Sequence, residues 1–134
     1  MEFVLVGPRE LRAHWPRISD SLDKVLAKAS EDWIKEDVYH AIKSGHVACY
    51  IALSDAGYAG LLVVTKAAAE FSGTPALHVW IAHNAGAEDV LEAGLDLLRG
   101  IATKEGIMRI TFGSPRAGWA RRFPLISATY EVPV

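Results

Sequence analysis

Residues 77–106 constrain the fold of this chain more than any other stretch, because they combine a strand, a turn and a helix in direct succession. The apolar run LHVWI at residues 77–81 has strand character, and Asn84 and Gly86 favour a turn. Apolar residues then recur at helical spacing before a stop at Gly106, namely Val90, Leu91, Leu95, Leu97, Leu98 and Ile101. The first amides of such a helix lack partners and face one point, which can hold an anion. The same unit is also an ordinary piece of an α/β core.

Upstream of this unit, the hydrophobic pattern predicts one strand and two helices. Residues 3–6 alternate weakly and form a first strand. Helical spacing follows over residues 11–26 and runs through Pro16, which predicts a kink or a restart of the helix. Ser30 stands before two acids in the manner of a helix cap, so a second helix is predicted from there to a stop at Gly45.

The rest of the chain has the period of strands. Residues 46–53 and 58–65 predict a β-hairpin, and its second arm is apolar on both faces, as in a strand inside a sheet. After the central helix come a strand at residues 107–112, a short helix, and a terminal strand at residues 126–132. The order β-α-α-β-β-β-α-β-(α)-β predicts an α/β (α+β) fold, in which helices pack on both faces of a mixed central sheet.

Size and composition bound the functions that the chain can serve. It has 134 residues, of which 51% are hydrophobic and 22% charged, so we expect one domain over residues 1–134. The net charge of -2 gives no general attraction to nucleic acid or anionic lipid, so small molecules or other proteins are the expected partners. We expect no membrane segment, no metal site and a cytoplasmic location. Cys49 lies in an apolar run, which predicts a buried small hydrophobe rather than a nucleophile.

The order of elements resembles that of the GNAT superfamily of acetyl-coenzyme-A-dependent N-acetyltransferases. The resemblance covers nearly the whole chain and includes the apolar strand ending near Ile81, the helix end at residues 104–106 and the strand that starts at Ile107. The segments EDVYHAIKSG (residues 36–45) and SPRAGWARR (residues 114–122) are more narrowly similar to small GNAT-like proteins encoded by tailed phages and prophages.

The resemblance implies a site for acetyl-CoA. A gap between the fourth and fifth strands would receive the pantetheine arm, and the amides at the start of the central helix would hold the pyrophosphate. The loop of the family carries Arg or Gln, two residues, Gly, one residue, and Gly or Ala, because the backbone must approach the phosphates closely. The resemblance assigns cofactor contacts to Trp80, Ile81, His83, Gly86, Ala87, Glu88, Asp89, Val90 and Arg116.

The loop of this chain departs from that pattern in two possible registers. One places Gly86 where Arg or Gln belongs, with Asp89 and Leu91 at the small positions. The other places His83 at the Arg position and Gly86 at the first Gly, but leaves Glu88 at the last position. Both registers put acids beside the expected pyrophosphate, where like charge disfavours an anion. The same acids are good helix-capping residues, which is the alternative reading.

Acetyl transfer to an amine also needs a base for the amine proton and an acid for the leaving thiolate. The family commonly uses a Glu or a water chain as the base, and a Tyr after the fifth strand as the acid. Here the fourth strand offers His78 as base, or alternatively as a hydrogen-bonded core residue. Ser114 follows the fifth strand in place of the Tyr, and Tyr130 on the terminal strand is a substitute.

Trp119 is predicted to be a packing anchor, with Arg116, Arg121 and Arg122 solvated around it. Alternatively, these arginines bind the 3'-phosphate of the cofactor or an acidic substrate.

Two functional hypotheses follow from these residues. The first is an N-acetyltransferase that uses acetyl-CoA on a small-molecule or protein amine. The second is a catalytically silent GNAT-like phage or prophage accessory protein that acts by binding another protein, which the loop acids and the missing Tyr favour. By analogy with this architecture, an exposed terminal strand also predicts a homodimer.

Overall fold

A computed structural model describes residues 1–114 and 117–134, with Ala117 described by its backbone alone. The elements in chain order are β1 (Glu2–Val6), α1 (Leu11–Lys28), α2 (Lys35–Lys43), β2 (Ala48–Ser54), β3 (Gly57–Ala68), β4 (Pro75–Asn84), α3 (Val90–Lys104), β5 (Ile110–Phe112) and a short 3-10 helix (Ala117–Arg121). The strands form one sheet in the order β1-β2-β3-β4-β5. Its pairs are antiparallel except for β4 with β5, which is parallel, so the predicted mixed sheet is confirmed.

The sheet separates two apolar cores, as alternation along β3 shows. Leu61 and Val63 face a core that α1 and α2 cover. Leu62 and Val64 face the opposite core, which α3 covers. Successive side chains of a strand point to opposite faces, so a strand buried on both faces must be apolar throughout. The predicted position of this arm inside the sheet, with helices on both sides, is confirmed.

The two early helices differ from expectation in detail. Helix α1 runs through Pro16 without a restart. Helix α2 begins at Lys35, not near Ser30, so the predicted cap at Ser30 is wrong. Its first turn is held by Asp37, whose Oδ2 accepts a hydrogen bond of 2.9 Å from the amide of Ile34. A carboxylate three residues inside the helix satisfies an end amide as well as a preceding serine would, so composition alone did not fix the start.

The predicted terminal strand at residues 126–132 is wrong for the single chain. Residues 124–134 lie outside any helix or strand, and Ile126 and Tyr130 are 67% and 86% exposed. The alternation of apolar and polar residues is present, but a strand also needs a neighbour that accepts its backbone hydrogen bonds. Among the described residues no strand pairs with this segment. No helix in the described part of the chain is long and apolar enough to cross a membrane.

Candidate functional site

A gap opens in the sheet where β4 leaves β5. The described pairs between them are Leu77↔Ile110, His78↔Thr111 and Val79↔Phe112, whereas β4 continues to Asn84. The register with β3 shifts at the same place, because Val63 lies opposite Ile81 and Val64 opposite Val79. Trp80 is therefore the extra residue of a β-bulge. A bulge bends the strand that contains it, and this one follows directly on the last described pair of β4 with β5.

None of the described residues pairs with the outer edge of β4 beyond the bulge. Ala82 is exposed although its neighbours Ile81 and His83 are buried. Trp80 is half-buried, and its ring meets that of Trp33 edge-on with centroids 5.9 Å apart. Since Trp33 lies between α1 and α2, that connection packs against β4 at the bulge. An unpaired strand edge offers amides and carbonyls to an extended ligand.

The start of α3, at the far end of the gap, is already capped by the chain itself. The amide of Val90 donates to Oδ1 of Asn84 at 2.8 Å, and the amide of Glu92 donates to Oδ1 of Asp89 at 3.0 Å. Asp89 has the extended backbone of a capping residue. The capping interpretation of Asp89 is confirmed. Two amides of the first turn are therefore not directed at a ligand.

A cleft of about 380 Å³ lies beside this helix end, lined by Asp89, Glu92, Gly118, Trp119 and Arg122. The Arg122 guanidinium forms an ion pair with the Glu92 carboxylate. The rings of Trp119 and Phe112 meet edge-on with centroids 5.1 Å apart, so the short 3-10 helix is anchored on β5. The predicted role of Trp119 as a packing anchor is confirmed.

His78 lies at the closed end of the gap. Its Nδ1 is 2.8 Å from Oγ1 of Thr111, the residue opposite it on β5. Burial lowers the pKa of His78 below its ordinary value of 6.5, so the imidazole is neutral at pH 7. Thr111 was missed by sequence reasoning, because the contact exists only once the register of β4 and β5 is known.

The other predicted site residues fall into three groups. Ile81, His83 and Val90 are buried, and Gly86, Ala87 and Glu88 are on the exposed loop before α3. Ser114 is exposed just beyond β5, and Tyr130 is on the unpaired segment. Arg116 lies outside the described residues.

Burial raises the pKa of the Cys49 thiol to about 12, so the prediction of a buried hydrophobe is confirmed.

His83 is the unusual member of the buried group. It is 7% exposed, and its Nδ1 has no hydrogen-bond partner among the described residues. Its pKa is lowered by burial and also by the charges of Lys28 and Lys24 on α1. Among residues 1–114 and 117–134, no three His, Cys, Asp or Glu side chains form a group that could hold a metal ion.

Comparison with known proteins bears on the fold. No protein-family model and no curated protein matches the sequence. Solved structures do match it. A ribosomal-protein-alanine N-acetyltransferase from Brucella melitensis biovar Abortus 2308 is 14% identical, with 100% of both chains covered and a TM-score of 0.67. A predicted acetyltransferase from Clostridium acetobutylicum, solved with acetyl-CoA, is 9% identical with a TM-score of 0.67, over 98% of this chain and 95% of the other.

An aminoglycoside acetyltransferase from an uncultured soil metagenomic sample is similar to the same degree. It is 10% identical, with 99% of this chain and 97% of the other covered and a TM-score of 0.67. At such identities the likeness concerns the fold, and it extends over nearly the whole chain. The α/β architecture expected from the sequence is confirmed, and it is the fold that the acetyltransferases among these solved structures share.

Proposed function

We propose that this chain, which has the fold of GNAT acetyltransferases, transfers an acetyl group from acetyl-CoA to an amine. The observation that carries the proposal is the open outer edge of β4 beyond Val79, next to the start of α3. The pantetheine arm of acetyl-CoA contains two amides and is extended, so it can pair with that edge as an added strand would. Trp80, Ala82 and the exposed loop at Gly86 then line its path.

In this proposal His78 is the base. When Nδ1 carries a proton and donates it to Thr111, Nε2 is left as the acceptor for the proton of the amine. The amine nitrogen attacks the thioester carbonyl, an N–C bond forms, and the C–S bond breaks. The proton goes to His78, which later releases it to water, and the CoA thiolate takes a proton from water, either directly or through Ser114, which regains one from water. Tyr130 would serve as the acid only if its segment closed on the gap.

The acceptor is proposed to be an amine on a small molecule or on a protein. Structural neighbours include an aminoglycoside acetyltransferase and a ribosomal-protein-alanine N-acetyltransferase, which cover both classes. The small cleft beside α3 and the open loop before it do not favour one class over the other. A cytoplasmic location and a phage or prophage origin stay predictions.

A second candidate function rests on the capped end of α3. Asn84 and Asp89 occupy two amides that would otherwise face the pyrophosphate, and Glu92 adds a further negative charge. A GNAT-like protein that does not turn over acetyl-CoA and acts by binding another protein fits this observation. Its binding surface would include the exposed apolar segment after Phe123.

Titration of acetyl-CoA into the purified protein, with Asp89→Gly alongside, separates the two candidates. Glycine at a cap costs only a few tenths of a kcal/mol relative to Asp, and so the helix is kept while the charge is removed. Binding by the parent supports the acetyltransferase and leads to a screen of amine acceptors. Absence of binding in both proteins contradicts it and supports the protein-binding candidate.

A further inference from the structure

The ion pair between Arg122 and Glu92 lies in the lining of the cleft at the start of α3. The two residues are 30 positions apart in sequence, and the side chains of Arg122 and Glu92 are 48% and 43% exposed. The guanidinium also lies over the rings of Phe123 and Trp119, at 5.2 Å and 5.9 Å from their centroids. The Arg122 side chain is therefore held in the lining of the cleft by the Glu92 charge and by two aromatic faces.

Of the described charged residues that line the cleft at this helix end, Arg122 is the one whose charge attracts an anionic ligand. The partial positive charge of a helix start is offset here by the carboxylates of Asp89 and Glu92. Two of the first amides already donate to side chains of the chain itself. Among the described residues that line the cleft, Arg122 alone is cationic. Within the described part of this cleft, a pyrophosphate therefore takes its charge compensation from Arg122 rather than from the helix.

We infer that Arg122 is the pyrophosphate-binding residue of the acetyl-CoA site, and that Glu92 competes with the pyrophosphate for it. This inference rests on the proposed function. Guanidinium binds carboxylate and phosphate through the same pair of parallel donors, so one arginine can exchange the first partner for the second without moving its aromatic support. Glu92 acts as an internal substitute anion that holds Arg122 in place when the cofactor is absent. Sequence motifs for glycine-rich loops miss this arrangement, because its cation lies after β5.

The test compares CoA binding by the parent, Glu92→Gln, Arg122→Gln and the double variant. Glu92→Gln removes the competing charge and leaves the cap of Asp89 intact, so we expect CoA to bind about tenfold more tightly. Arg122→Gln is expected to weaken binding by about tenfold and to abolish the gain from Glu92→Gln in the double variant. Asp96→Asn is the matched control. Asp96 lies on the same helix, is 99% exposed and pairs with Arg99 instead. The CoA affinity of Asp96→Asn should therefore stay within about twofold of that of the parent.

Two further ligands separate this inference from the proposed function. Pantetheine has no pyrophosphate and reports on the gap alone, so its affinity should be the same in all variants. Inorganic pyrophosphate reports on the cleft alone and should follow the order of the CoA affinities. Equal CoA affinity in the parent and Glu92→Gln overturns the competition and leaves the acetyl-CoA site standing. Pyrophosphate binding that follows the expected order, without CoA or pantetheine binding in any variant, supports the role of Arg122 and overturns the proposed function. No pyrophosphate binding in any variant overturns the inference.

Discussion

At the scale of single residues, two histidines on β4 have different surroundings and predict different experiments. His78 is half-buried and hydrogen-bonded to Thr111, at the closed end of the gap. Under the proposed mechanism, His78→Asn lowers kcat by about a hundredfold with little change in KM, because a base acts in the transition state. Burial lowers the pKa of His78 below 6.5, so the parent's rate should rise with pH only below that value and then level off. The pH profile of steady-state acetyl transfer measures this.

The control for that experiment is His46→Asn. His46 is exposed, and its Nδ1 is hydrogen-bonded to the Ser44 hydroxyl at 2.6 Å, whereas Nδ1 of His78 is bonded to Thr111 on β5. The kcat and the pH profile of the His46→Asn variant should match those of the parent. An unchanged kcat in His78→Asn would contradict the assignment of the base and would direct attention to a water chain.

His83 carries a prediction about stability. Its pKa in the folded chain is below the ordinary 6.5, because of burial and the facing Lys28 and Lys24, which the opposing charge of Asp20 only partly offsets. The unfolded chain therefore binds more protons, and the free energy of unfolding should fall as the pH drops through about 6.5. His83→Leu removes that loss and the unpartnered Nδ1, so it should be about 1 kcal/mol more stable near neutral pH and less sensitive to acid.

Urea denaturation of the parent and His83→Leu at about pH 7.5 and about pH 5 measures both effects. His40→Gln serves as the control, because His40 is exposed on α2 and should leave the pH dependence as it is in the parent. Some acid sensitivity should persist in His83→Leu, since the pKa of His78 is lowered too. Equal acid sensitivity in the parent and His83→Leu would show that His83 is not buried as a neutral group.

At the scale of elements, Gly60 on β3 fixes the distance between the end of β4 and the start of α3. A Cβ at this position would lie 2.0 Å from the carbonyl oxygen of His83 and 2.8 Å from Cγ2 of Val90, and the φ angle is +142°. Gly60→Ala therefore meets both a steric clash and an unfavourable backbone conformation, and we expect a loss of at least about 3 kcal/mol in the free energy of unfolding. Chemical denaturation checks the value.

Gly100→Ala is the matched substitution, because Gly100 lies within α3 and a Cβ there meets nothing within 4 Å. It should stabilise the chain by about 0.5–1 kcal/mol, since alanine loses less backbone entropy than glycine in a helix. If Gly60→Ala and Gly100→Ala changed the free energy of unfolding by similar amounts, that would contradict the close approach of His83 and Val90 to Gly60. Because both neighbours of Gly60 border the proposed site, a partly folded Gly60→Ala should also lose CoA affinity.

At the scale of the whole molecule, periodicity predicted the fold well and the site only in part. The helices, the hairpin and the central strand–turn–helix unit were predicted from the local spacing of apolar residues. That spacing does not depend on contacts with distant elements, and the predicted order of these elements matches the structure. The bulge at Trp80 could not be predicted, because a strand that is apolar on both faces has no alternation to reveal an extra residue. The contacts of His78 with Thr111 and of Glu92 with Arg122 depend on distant elements meeting, which local pattern does not encode.

The segment after Phe123 leads to the prediction of a homodimer. Its residues Ile126, Ala128, Tyr130 and Val132 alternate with Ser127, Thr129 and Glu131, which is the pattern of a strand with one buried face. The single chain leaves that face exposed, with Tyr130 86% and Val132 82% accessible, and β1 and β5 are the edge strands of the sheet.

A second copy of the chain can supply the missing neighbour, because each copy brings one unpaired segment and an open sheet edge. We therefore expect light scattering after size-exclusion chromatography to give a dimer for the parent and a monomer for Tyr130→Asp, which places a charge on the apolar face. Thr129→Asp adds the same charge to the polar face and should remain dimeric. A monomeric parent at high concentration would contradict the prediction, as would equal disruption by both substitutions, because only an ordered strand distinguishes adjacent residues by face.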